Sequence, residues 1–236
     1  MRFKAVLFDA GGTLLFLDHA RIAAGLSEAC GVPITAAELD RCAPIAAEAL
    51  ERGSGTDAER AIRYLEMLCR TAGIPALRWT AAQRALFRMH GERHLWSAGE
   101  RGTAAALGRL RASGIKLGVV SNSDGRVEDA LRVAGLRDCF DVVIDSAEAG
   151  VEKPDPRIFH LALGRLGVAP AEALHVGDVY DVDVVGARAA GIEAVLVGTP
   201  AEAGGIGRAD VPTARSVVEL ADALLGERTT RSGVPL

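Results

Sequence analysis

Four places in this 236-residue chain set a chemically active side chain at the end of a short apolar run or just beyond it. Asp9 ends KAVLF and leads into the turn Ala10-Gly11-Gly12-Thr13. Ser121 closes KLGVVS (116–121), and Asn122 follows it. Lys153-Pro154 comes after DVVID (141–145) and opens a helical stretch. Asp178 ends ALHVG (173–177), and Asp183 stands five residues later. A charge at a buried strand end is costly, or shifts its pKa, unless a ligand or counter-charge meets it. Carboxylates, a small hydroxyl and one ammonium gathered at a rim therefore call for a divalent metal, with Lys153 as the remaining counter-charge.

Such a rim needs elements that end side by side. KAVLF, KLGVVS, DVVID, ALHVG and EAVLVG (193–198) are continuous apolar runs closed by Gly or polar residues. That is the pattern of strands buried on both faces of a parallel sheet. Segments of helical period lie between and after them, near 104–113, 124–134, 155–166, 180–190 and 216–226. The alternation predicts an α/β fold with a doubly wound, parallel, five-stranded core. In such sheets ligands bind beyond the carboxyl ends of the strands, where strand order reverses. Residues 17–98 differ, with no good strand run. They read as helices near 18–30, 36–51, 57–72 and 80–95, separated by turns at Gly31-Val32-Pro33, Gly53-Ser54-Gly55 and Gly73-Ile74-Pro75. The expected domains are thus a core of residues 1–16 and 99–236 and an all-helical insert of residues 17–98, with 227–236 as a frayed tail.

Composition narrows the function classes. Net charge is -4 and no aromatic–basic interleaving occurs, which argues against a nucleic-acid partner. No apolar run is long enough to span a membrane. Cys30, Cys42, Cys69 and Cys139 form no CxxC and no zinc spacing, and read as buried reduced thiols. With no export signal at the start, they point to the cytoplasm. Basic residues are almost all Arg. The lysines are Lys4, Lys116 and Lys153.

The motifs FDAGGTLL (8–15), VVSNSD (119–124), EKPDPRIF (152–159) and HVGDVYDVDVVGA (175–187) resemble, in order and spacing, the haloacid dehalogenase-like hydrolases. The resemblance runs through the whole core and implies a Rossmann-like fold with a helical cap inserted after the first strand. It implies Asp9 as nucleophile, through an aspartyl intermediate. Thr13 and Ser121, with Asn122 and the backbone N–H groups at Gly11-Gly12, would bind the transferring group. Lys153 would neutralise charge there. Asp9, Asp178 and the backbone carbonyl of Gly11 would hold Mg2+, with Asp183 behind them or acting through water. The expected activity is Mg2+-dependent hydrolysis of small phosphorylated metabolites by a monomer or homodimer, with the cap closing over the Asp9 rim.

One position departs from the phosphatase pattern. Gly11 stands where these phosphatases carry a second Asp that protonates the leaving group. A positioned acid–base group contributes about 10²–10⁴-fold in rate. Two alternatives follow, a low-turnover member that binds a ligand or a protein, and a metal-independent 2-haloacid dehalogenase. Retention of Asp178 and Asp183 favours the phosphatase. His19 and Asp18 are candidate replacements for the missing acid–base group. The other histidines have plainer readings. His175, inside a strand, and His160 read as structural, and His90 and His94 as an exposed helix face. Arg60 and Arg63 read as solubilising, and Trp79 and Trp96 as packing anchors.

Overall fold

The computed structural model describes residues 2–50, 57–198 and 210–226. The expected turn at 53–55 and the tail from 227 lie outside them. The described strands are β1 (Ala5–Phe8), β2 (Leu15–Leu17), β3 (Trp96–Gly99), β4 (Lys116–Ser121), β5 (Val142–Asp145), β6 (Ala173–Gly177), β7 (Glu193–Val197) and β8 (Thr213–Ala214). The helices are α1 (His19–Cys30), α2 (Ala36–Leu50), α3 (Asp57–Thr71), α4 (Trp79–Glu92), α5 (Thr103–Ala112), α6 (Val127–Val133), α7 (Ser146–Ala149), α8 (Pro156–Leu166), α9 (Val185–Ala189) and α10 (Val217–Leu225). Two compact units result, Met1–Phe16 with Ala98–Leu236, and Leu17–Ser97.

The first unit is an α/β fold on a parallel sheet of order β5-β4-β1-β6-β7-β8. From β1 the chain runs outward through β4 to β5, then returns to β6 and runs outward the other way. Strand order reverses beside β1, so the crevice for a ligand lies at its carboxyl end. One face buries Leu7, Val120 and Ile144 against Ile158, Phe159 and Leu163 of α8. Gly118 makes that face fit, since a Cβ there would stand 2.8 Å from both Leu7 and Val142.

The sheet has a sixth strand where five were expected. β8 is two residues long and pairs with β7 at the edge. A run that short has no periodicity to read.

The second unit wraps its helices around Ile22, Leu26, Leu39, Leu68, Leu86 and Met89. Trp79 and Trp96 pack against this core. Helix α1 is capped by Asp18, whose side chain accepts from Arg21 N at 3.0 Å. Helix α2 opens with Thr35 and Glu38 in a reciprocal capping box. The insert is not purely helical at its ends. β2 and β3, where the chain passes between units, form a two-stranded sheet. No helix of the described residues is long and apolar enough to cross a membrane. The four cysteines are free, with Cys30 and Cys69 buried.

Candidate active site

The site is built at the strand ends that flank β1. Asp9 follows Phe8 directly, and its N–H donates to Val176 O at 2.8 Å. Asp178 follows the last residue of β6, and Ser121 is the last residue of β4. The turn after Asp9 folds back on itself, with the N–H groups of Thr13, Leu14 and Leu15 all donating to Ala10 O. Gly12 sits at φ +86, and a Cβ on it would stand 2.2 Å from Asp178 Oδ2. Only glycine meets both demands.

A chain of ion pairs crosses this rim. Lys153 Nζ pairs with Asp9 Oδ1 and donates to Asp183 Oδ1 at 2.7 Å. Asp183 also accepts from His175 Nε2 at 2.9 Å and, on its other oxygen, from Val179 N at 3.0 Å. Asp9, Lys153, Asp183 and His175 are all buried. Thr13 is buried too and reaches Asp178 Oδ1 at 3.5 Å, the far limit of a hydrogen bond.

The local sequence explains these placements. The segment expected as a regular helix from 180 begins as one turn of π-helix, Tyr180–Val184, ahead of α9. Asp183 Oδ2 accepts the Val179 N–H there, and the widened turn carries the carboxylate inward. Gly177 leaves it room, since a Cβ there would lie 2.2 Å from Asp183 Cγ.

Burial and neighbouring charge set the protonation states. Burial pushes Asp9 up to about 6, with Lys153 pulling it down and Asp183 pushing it up. Burial opposes the charge on Lys153, but Asp183 and Asp9 outweigh it and hold its pKa above the ordinary lysine value. Burial opposes ionisation of Asp183 too, yet the Lys153 charge and the His175 hydrogen bond hold its carboxyl below the usual range. Burial pulls His175 below the ordinary histidine value, against the opposing hydrogen bond and charge of Asp183. Asp178 is raised well above the usual range by burial and then by Asp9 and Asp183.

Three carboxylates thus face a single ammonium. Mutual repulsion disfavours ionising all three together without more positive charge. Oxygens of Asp9, Asp178 and Asp183 lie within 4.8 Å of one another and form a hard-donor set suited to a divalent cation such as Mg2+. Three hydrogen bonds already engage Asp183, so Asp9 and Asp178 keep the greater capacity for a metal.

Not every expected residue joins this cluster. Asn122 clamps the backbone of Lys153, accepting from its N–H at 2.7 Å and donating to its carbonyl at 3.0 Å. The N-cap of α6 is Arg126, whose side chain makes no capping bond. The helix starts at Val127, later than expected, because its first N–H donates to Asp145 Oδ2 at 3.2 Å. Asp145 also accepts from Gly125 N and Ala147 N, which fixes the loop beyond Ser121. Within the second unit Asp18 caps α1 and pairs with Arg93 at 2.7 Å, and His19 pairs with Asp40 at 2.6 Å.

Sequence reasoning passed over Asp145 and read His175 only as structural. Asp145 carried a usable signal, since it ends an apolar run as Asp9 does. His175 carried a weaker one, as the only polar side chain in ALHVG.

The comparisons with known proteins agree in class. The model of a hydrolase family described as haloacid dehalogenase-like hydrolase matches residues 3–191. A Methanopyrus kandleri protein named glyceraldehyde 3-phosphate phosphatase is 33% identical over 202 residues, 82% of this chain and 83% of that one. Haloacid dehalogenase-like hydrolase domain-containing protein 3 of Bos taurus is 52% identical over 99 residues, 42% of this chain and 39% of that one. The matches to the first curated relatives, bovine, mouse and human, span 39%, 51% and 49% of their lengths. A crystal structure titled as a HAD phosphatase from Thermococcus onnurineus superposes with a TM-score of 0.57 at 28% identity, covering 96% of this chain and 100% of that one.

Proposed function

The chain belongs to the haloacid dehalogenase-like hydrolase family, and from that premise we propose that it hydrolyses small phosphorylated molecules with Mg2+ through an aspartyl-phosphate on Asp9. The observation that carries this reading is the rim itself, three clustered carboxylates against one buried ammonium at the sheet's switch point. A relative named as a phosphatase, similar over most of its length, supports phosphoryl rather than halide chemistry. Four free thiols fit a reducing cytoplasm. Substrate selection is proposed to lie with residues 17–98.

Asp9, Asp178 and the Gly11 carbonyl would hold Mg2+, which when bound supplies positive charge to the transferring phosphoryl oxygens. The residues of the chain do the rest. An oxygen of Asp9 attacks phosphorus, and the bond from phosphorus to the leaving oxygen breaks. Lys153 offsets the charge between carboxylate and phosphate, while Thr13 and Ser121 donate hydroxyl hydrogen bonds to the phosphoryl group. The leaving oxygen takes its proton from solvent, because Gly11 has none to give. Water then attacks phosphorus and breaks its bond to Asp9, which releases phosphate and restores the carboxylate. Without an acid at position 11, leaving groups stable as anions, such as those of acyl phosphates, react fastest.

Phosphate release from phosphomonoesters and acyl phosphates, with and without Mg2+, tests the proposal. Release should require Mg2+ and be abolished by Asp9→Asn. Gly11 favours one second reading, a member that binds phosphorylated ligands with little turnover. Mg2+-dependent ligand binding with no release from any substrate would sink the hydrolase reading and support that one. Metal-independent halide release from 2-haloacids would replace both.

A further inference from the structure

We infer that His175 is a positioning residue for the reaction proposed above, fixing the Lys153 ammonium against Asp9 through Asp183. The inference rests on that proposed reaction for its effect on rate, but not for its geometry. His175 lies in the middle of β6 with no exposed surface. Its ring meets Phe159 edge-on, with centroids 4.9 Å apart, so an apolar ring of the same size would pack there. The imidazole instead costs desolvation, and Nδ1 has no hydrogen-bond partner among the described residues. What the imidazole provides over an apolar ring is one donor, aimed at Asp183.

That donor is placed where it matters. Nε2 reaches Asp183 Oδ1 at 2.9 Å, the same oxygen that accepts Lys153 Nζ at 2.7 Å. Val179 N holds the other oxygen at 3.0 Å. The carboxylate is therefore pinned at both ends. It cannot rotate without breaking a bond to His175 or to the backbone. Lys153 has a long flexible stem, and its ammonium is directed only by the partners around it. Asn122 fixes its backbone, and Asp183 together with Asp9 fixes its tip. Removing the His175 donor leaves Val179 N as the remaining fixed hold on the Asp183 carboxylate, so Oδ1 and the ammonium bound to it shift relative to Asp9. Groups that orient a reacting shell from behind cost about 10–100-fold in activity when removed.

The chain has three lysines, so ε-13C-lysine labelling gives one NMR signal each for Lys4, Lys116 and Lys153. Loss of a signal in Lys153→Met assigns the one that matters. His175→Phe, which keeps the ring volume, should shift the Lys153 signal and lower kcat about 10–100-fold with little change in KM. His175→Gln, which keeps a donor at similar reach, should restore the signal and most of kcat. A wild-type Lys153 signal in His175→Phe overturns the inference, and so does a shifted signal with wild-type kcat. If the wild-type protein turns over no phosphorylated substrate, the proposed function fails while the lysine signal still decides the positioning. Should His175→Phe not fold, His175→Leu takes its place. If neither folds, a Lys153 signal in His175→Gln unlike the wild type overturns the inference.

Discussion

The two units bury different kinds of side chain. In the first, the buried polar and charged residues include Asp9, Thr13, Ser121, Asp145, Lys153, His175 and Asp183. In Leu17–Ser97, Ser97 is the one such residue among those described, and the core is Leu, Ile, Ala, Met and Cys. Burying a charge is costly unless a partner meets it, and in the first unit each buried charge has one. The second unit is held by apolar burial, with its ion pairs at the surface. Loss of a partner in the first unit strands a charge, whereas loss of a side chain in the second leaves a cavity.

That contrast can be broken by substitution. Gly11→Asp carries the largest expected effect on rate. Gly11, unlike Gly12, is not among the positive-φ glycines. If the leaving group lacks only an acid, phosphate release from phosphomonoesters should rise by about 10²–10⁴-fold, with a smaller gain for acyl phosphates. An unchanged rate for both would show that another group already serves. Lys153→Met leaves Asp9 and Asp183 without their shared counter-charge. It should cost about 3–5 kcal/mol in denaturant unfolding without metal, and added Mg2+ should recover part of the loss. A wild-type midpoint would mean that the buried ion pairs contribute nothing.

The second unit should respond only through packing. Leu26, fully buried in its core, should lose about 2–5 kcal/mol on replacement by Ala, with no Mg2+ dependence. Thr35→Ala removes a capping-box partner of Glu38 and should lower unfolding free energy by about 1 kcal/mol. A Mg2+-dependent response in either variant would erase the distinction between the units.

The same contrast explains what could be read in advance. Five core strands were legible because each is a continuous apolar run ended by Gly or a polar residue. Asp9 and Asp178 were legible because apolar runs end beside them, and Lys153 and Asp183 because each follows such a run within a motif of the family. Strand β8 was not, since two residues carry no pattern. Strands buried on both faces give no alternation, so nothing marked His175 as facing Asp183. The π-helical turn at Tyr180–Val184 was read as ordinary helix, because its periodicity differs by one residue in a single turn. The roles of Asn122 and Asp145 depend on partners 31 and 18–20 residues away. Local sequence does not contain such pairings.

In the proposed reaction Asp9 becomes covalently phosphorylated. Protein acid-quenched during turnover of an acyl phosphate in Mg2+ can be digested and its peptides weighed. The peptide containing Asp9 should gain the mass of one phosphoryl group, borohydride should convert Asp9 to homoserine, and Asp9→Asn should show neither. Turnover with an unmodified Asp9 peptide, or with the phosphoryl group on another residue, would contradict that reaction.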